Sequence, residues 1–186
     1  MSEKMLLVAG KYYHLYNLSN EEKIIFKEEK NYLFFLERYQ LYLGELVSTL
    51  AYCLLPADFH FIIKVLTVDN DVLEKNLTTF LNGYAKAMNN GFAQNGNSLQ
   101  VRIKAKEIGD EDQVLPLVTY VHQLPVTAQL ATRMEEWHYS SYADLIGMRN
   151  GTIASSKFIR QNFFSVEDFQ KYSEGMLDNL QRKEWM

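Results

Sequence analysis

Ala51-Tyr52-Cys53-Leu54-Leu55-Pro56-Ala57-Asp58-Phe59-His60 is the stretch on which the fold of this 186-residue chain turns. From Ser48 to Leu55 both alternate faces are apolar, the pattern of a central strand covered on both sides. Pro56-Ala57-Asp58 is a short connection. Phe59 to Val65 then reads as a second strand, with Phe59, Phe61, Ile63 and Val65 facing one way and His60, Ile62 and Lys64 the other. Two strands joined this tightly form the middle of a sheet.

Helices fill the gaps on either side of that pair. Upstream, a first strand is expected over roughly Leu6 to Asn17, where Tyr12, His14 and Tyr16 share one face and Tyr13 and Leu15 the other. A helix follows, because Tyr32, Phe35, Leu36, Tyr39 and Leu43 recur at steps of three and four. Downstream, Leu73, Leu77, Phe80, Leu81, Tyr84 and Met88 mark a second long helix, which ends in the Asn/Gly-rich stretch Asn89 to Asn97. Val101 to Ile108 alternates again. Gln113 to Leu124 is helical, with Val114, Leu117, Val118 and Val121 as its buried stripe. After Trp137 the chain reads as loop, and its last 30 or so residues as short helices. The order strand, helix, strand, strand, helix, strand, helix predicts an α+β fold of ferredoxin-like type: an antiparallel sheet with packed helices and a short helical C-terminal extension. Prolines occur only at positions 56, 116 and 125, and no linker or internal repeat divides the chain. We therefore expect one main unit over residues 1–150, with 151–186 a helical extension of the same domain.

Composition narrows the function. Hydrophobic residues make up 47% and charged residues 23%, enough to bury a core. The formal net charge is −4, which argues against indiscriminate coating of duplex DNA but leaves room for a local basic groove. The 12 Tyr and 11 Phe serve first as core, and some as stacking platforms for unpaired bases. Cys53 is the single cysteine, so no intrachain disulfide forms, and a reducing compartment is expected. The apolar run Met5 to Ala9 is too short for a secretory core segment, and nothing approaches a membrane span, so a cytoplasmic location is expected.

Three features carry candidate chemistry. Asp58 and His60, two apart on a strand, project to the same side and offer an oxygen and a nitrogen donor to a divalent cation. Spacing alone fits a turn aspartate followed by a sheet-bonded histidine more readily. Tyr120 lies on the flank of an amphipathic helix and offers a hydroxyl that can attack phosphorus, once the cost of its deprotonation is lowered. Eleven other tyrosines compete for that role. Arg102, Lys104 and Lys106 line one strand face and suit a phosphate backbone, or equally a solvated sheet face.

Read together, these segments resemble the single-tyrosine transposases of the HUH type, the REP-associated and short insertion-sequence kind. Tyr13-His14-Leu15-Tyr16-Asn17 resembles their opening strand, YHxYN. The Ala51–His60 stretch is similar to AYCLMPNHFH, whose two histidines flank a hydrophobic residue. Arg102-Ile103-Lys104-Ala105-Lys106 resembles RFKxK. Tyr120-Val121-His122-Gln123-Leu124-Pro125-Val126 resembles YIHLNPV, the helix end carrying the nucleophile, and Tyr139-Ser140-Ser141-Tyr142 resembles WSSY. The match runs in order from about Tyr13 to Gly147. The resemblance implies a domain that cuts single-stranded DNA, often beside an imperfect hairpin. Tyr120 would form a 5′-phosphotyrosine, and a magnesium or manganese ion would be held by the histidine pair and one further polar residue. Some members are dimers and others monomers, so a homodimer is among the expected partners.

The chain departs from these motifs at the metal site. Asp58 replaces the first histidine, and a carboxylate remains a competent ligand for a hard cation. Leu124 replaces the asparagine four residues after the tyrosine, putting hydrocarbon where the third ligand would be. Gln123 is adjacent but rotated by about 100 degrees, and would serve only if the helix end unwinds near Pro125. Leu18-Ser19 replaces Arg-Gly after the first strand, removing a phosphate-binding cation. The sequence therefore points to a transposase-like protein that binds single-stranded or hairpin DNA, with cleavage impaired. The alternatives are an active tyrosine nuclease using Asp58, His60 and Tyr120, and a domesticated scaffold or protein-interaction module.

Overall fold

The computed structural model describes residues 6–17, 24–92 and 99–176. Leu18 and Ser19 lie outside the described residues, as do residues 93–97 of the Asn/Gly-rich stretch and residues 177–186. Strands β1 (Tyr12–Asn17), β2 (Val47–Leu55), β3 (Asp58–Val65) and β4 (Ile103–Ile108) form one sheet in the order β2-β3-β1-β4, with every neighbouring pair antiparallel. Helix α1 (Glu29–Leu43) connects β1 to β2, and α2 (Asn70–Phe92) connects β3 to β4. This is the βαββαβ topology of a ferredoxin-like fold.

The two sheet faces are covered unequally. Tyr13, Leu15, Tyr52, Leu54, Phe59, Phe61, Ile63 and Val65 point to one side and pack with Phe35, Tyr39, Leu73, Leu77 and Phe80 of α1 and α2. The aromatic content is largely spent here. Phe35 lies 5.0 Å from Phe59 and 4.8 Å from Phe80 between ring centroids, and Tyr39 stacks on Phe61 at 4.1 Å. On the other side, Ala51, Cys53, Leu55 and Ile62 pack with α3 (Val114–Thr127) through Val114, Leu117, Val118 and Val121. Helix α3 packs on β2 and β3. The β1–β4 half of this face is where exposed Lys104 and Lys106 lie.

Three short helices complete the second layer: α4 (Tyr142–Leu145), α5 (Lys157–Asn162) and α6 (Val166–Gly175). Ile159 of α5 and Phe169 of α6 join the α3 core, so α3 is buried both against the sheet and against the chain that follows it. Residues 139–141 run along the free edge of β2, where Leu54 N–H donates to the Tyr139 carbonyl (2.9 Å) and Ser141 N–H to that of Tyr52 (3.0 Å). That edge is thereby closed to further strand pairing, while the β4 edge carries the lysines.

Some boundaries differ from the sequence expectation, each for a local reason. β1 begins at Tyr12, six residues later than expected, because Ala9-Gly10 turns the chain, with Gly10 at φ +80° and its N–H on the Val65 carbonyl. β4 begins at Ile103, leaving Arg102 just before it. Helix α3 continues past Pro125 to Thr127 and does not unwind there. No helix among the described residues is long and apolar enough to cross a membrane.

Candidate nucleic-acid interface

Strand pairing assembles the site from three elements. Tyr16 lies opposite His60 on β3 and opposite Lys104 on β4, while His14 lies opposite Lys106. Side chains on one face of neighbouring strands stand close enough to touch directly or diagonally. His14 Nε2 and His60 Nδ1 accordingly share a buried hydrogen bond of 2.9 Å. The Tyr16 ring completes the group, at 4.8 Å from the His14 ring and 6.2 Å from that of His60.

Burial governs the charges. It lowers the His60 pKa to about 3, assisted by His14, and lowers that of His14 to about 4, assisted by the Lys106 ammonium. Both imidazoles are neutral at pH 7. Asp58 Oδ1 is 4.0 Å from His60 Nε2, but this is no ion pair, because burial outweighs the carboxylate's pull on the proton. Burial also raises Asp58 to about 6, although its side chain stays 48% exposed. The Tyr120 hydroxyl is raised from its ordinary value by burial and by the Asp58 charge. Asp58 and His60 therefore meet where β3 begins, and the Asp58 charge reaches the Tyr120 hydroxyl on α3.

Two donors for a divalent ion are present there. Octahedral magnesium bonds of 2.0–2.1 Å put neighbouring donors about 3 Å apart, so half-exposed Asp58 would have to swing toward His60. The His60 lone pair faces Asp58 only if Nδ1–H donates to His14 Nε2, which makes His14 the residue that sets the tautomer. Among the described residues no third His, Cys, Asp or Glu joins this pair. Leu124 is 9% exposed within the apolar core. The Gln123 side chain points toward α6, where Nε2 donates to the Ser173 carbonyl at 2.6 Å. Among the described residues no group of three His, Cys, Asp or Glu could hold a metal. The donor set does not fit a resident ion.

Lys104 and Lys106 are exposed beside the His14–Tyr16–His60 group. Arg102 stands just before β4, two residues from Lys104. It reaches back to Gln100 Oε1 (3.3 Å) and borders a groove with Lys86 and Asn82 of α2.

Sequence reading did not single out three further residues of the site. His14 was visible as a face-sharing histidine, but its bond to His60 depends on the β1–β3 register. His122 is fully buried, with Nε2 2.9 Å from Ser141 Oγ, while Ser141 Oγ also accepts from Tyr52 N–H. The SSY segment thus ties the tyrosine-bearing helix to β2. Arg149 holds the same segment, donating to the His138 and Ser140 carbonyls and to Asp144. No sequence spacing announces these contacts.

No family model matches the chain, and no curated protein does. Among solved structures the chain is similar to a REP-associated tyrosine transposase bound to a REP hairpin, with a TM-score of 0.62 and 18% identity over 83% of this chain and 94% of that one. At that identity the likeness is one of fold.

Proposed function

We propose that this chain is a transposase-like protein that binds single-stranded or hairpin DNA across the β1–β4 half of the sheet, and that its strand cleavage is impaired. Its fold is shared with a transposase whose structure was solved on a hairpin. Lys104 and Lys106 offer the phosphate contacts, and half-buried Tyr16 a ring beside them.

The observation that carries the impairment is that Leu124 lies in the apolar core while Gln123, the polar residue beside it, is committed to Ser173. The nucleophile is disfavoured by the same surroundings. A free tyrosine has a pKa of about 10. The two effects acting on Tyr120, burial and the Asp58 charge, both move it higher. Among the described residues, the influences on this hydroxyl thus oppose the ionisation that attack requires.

A second reading is favoured by the convergence of Asp58, His60 and Tyr120: an active tyrosine nuclease in which magnesium or manganese is held by Asp58 and His60. Incubating the protein with labelled hairpin DNA and manganese, followed by a denaturing gel, separates the two. Non-covalent binding without an adduct is the expected result. A covalent band lost in Tyr120→Phe would establish the active enzyme, and absence of any binding at low salt would end both readings.

A further inference from the structure

Asn-Gly occurs four times in the sequence, at residues 82–83, 90–91, 95–96 and 150–151. The fold sets one of these pairs apart. Asn82-Gly83 and Asn90-Gly91 lie inside α2, where the helix holds the backbone N–H groups. Residues 95–96 lie outside the described residues. Asn150-Gly151 stands in the irregular segment between α4 and α5, and both residues are exposed. Neither the Asn150 side-chain amide nor the Gly151 N–H has a hydrogen-bond partner among the described residues.

We propose that Asn150 is a site of spontaneous covalent modification. The Gly151 nitrogen closes on its side chain to form a succinimide, water opens the ring to aspartate and isoaspartate, and the products loosen the clamp that Arg149 makes on residues 138–144. This inference does not depend on the DNA-binding reading above.

The chemistry needs only water. The Gly151 amide nitrogen gives up its proton and bonds to Asn150 Cγ. The Cγ–Nδ2 bond breaks, and the side-chain nitrogen leaves with that proton as ammonia. Water then adds to one of the two ring carbonyls. Opening at Cγ gives aspartate, and opening at the main-chain carbonyl gives isoaspartate, whose backbone runs through the side-chain methylene. Two features make this pair reactive. Glycine has no Cβ to shield its nitrogen or to narrow the backbone conformations from which attack occurs, and the unpartnered Asn150 amide is free to rotate onto that nitrogen. Packing keeps the glycine in place, since a Cβ at position 151 would run into the Asp144 carboxylate. The contact that requires glycine therefore also leaves Asn150 open to attack.

Position gives the modification its consequence. Arg149, the preceding residue, donates to the carbonyls of His138 (2.6 Å) and Ser140 (2.8 Å) and to Asp144 Oδ2 (2.9 Å). The Tyr52 hydroxyl of β2 donates to the same Asp144 oxygen at 3.4 Å. Either product places a new carboxylate beside this guanidinium, in competition with Asp144. Isoaspartate also inserts an extra main-chain carbon between Arg149 and Gly151. The clamped segment carries Ser141, which meets His122 of α3, so the loosening reaches the tyrosine-bearing helix.

The experiment ages the full chain in warm, mildly alkaline buffer and digests it with trypsin, which cuts after Arg149 and Lys157 and so releases residues 150–157 as one peptide. Mass spectrometry should show NH2 replaced by OH in this peptide, with isoaspartate identified by labelling with an isoaspartate-specific methyltransferase. The peptide of residues 76–86, which carries Asn82-Gly83, should convert about 10-fold or more slowly, because α2 must first open there. In denaturant the two rates should converge. The aged chain should melt about 3–6 °C lower, the loss of one charge-assisted contact in a chain of this size, whereas Asn150→Gln aged alike should keep its Tm. A 150–157 peptide that stays unchanged, or converts no faster than 76–86, would overturn the site. Full conversion with an unshifted Tm would overturn the loosening of the clamp.

Discussion

His122 offers a quantitative test of how α3 is held. Its ring is fully buried, with Ser141 Oγ on Nε2, and Tyr142 and Phe169 pack near it at 5.4 and 6.2 Å between ring centroids. Burial lowers its pKa from 6.5 to about 3. The folded chain therefore keeps this ring neutral at pH values where the unfolded chain protonates it. Stability from this group is complete above pH 6.5 and is lost as pH falls, levelling off only near pH 3. Over the 1.5 units from pH 6.5 to 5 the loss is about 2 kcal/mol at 1.36 kcal/mol per unit. That is a large share of the 5–15 kcal/mol typical of a domain. His14 and His60, also lowered by burial, add to the acid sensitivity. Asp58 opposes it, since a raised carboxyl pKa costs stability as pH rises from 3.8 through about 6, but its exposure keeps that contribution small. Urea unfolding at pH 7.5, 6.5 and 5.0 should show the wild type losing stability on acidification. His122→Gln, whose amide can replace Nε2 toward Ser141, should lose about 2 kcal/mol less over the same interval. Equal slopes for the two proteins would mean that solvent reaches His122 or that it is already protonated in the fold, and the account of the α3 anchor would be wrong.

Other perturbations probe the site. Leu124→Asn should cost about 2–4 kcal/mol by placing an amide in the apolar core, yet raise manganese affinity and adduct yield. A folded variant whose metal titration matches the wild type would show that position 124 does not face the donors. Lys104→Ala/Lys106→Ala should lower the slope of log affinity against log salt by about 1.4 on single-stranded DNA, at about 0.7 per phosphate contact, and an unchanged slope would place the DNA elsewhere. Gly151→Ala puts a methyl group into the Asp144 carboxylate that holds Arg149 and Tyr52. The expected loss is about 1–3 kcal/mol by overpacking, read as a lower Tm, whereas an unshifted Tm would show that the 138–151 segment yields freely.

Periodicity made the layers legible. Alternation in Phe59–Val65 separates Phe61 from His60, and the three-four spacing of Phe35 and Tyr39 sets the buried face of α1, because strand and helix periods are properties of the local backbone. Short connections fixed the element order. Boundaries were less legible where a single residue redirects the chain, as at Gly10, or where packing overrides a breaker. Pro125 sits inside α3 because a helix buried on both sides holds its course through a missing N–H.

The sequence by itself determined the ferredoxin-like order of elements and the pairing of Asp58 with His60 on one strand face. Only the tertiary structure decided that His14 meets His60, that Gln123 turns to Ser173, that Arg102 reaches back to Gln100, and that Tyr12 and Phe158 share a cavity. The physical reason is range. Side chains two to four apart are related by the backbone's own period, whereas these contacts join residues brought together by strand register and helix docking, free energies to which the whole core contributes.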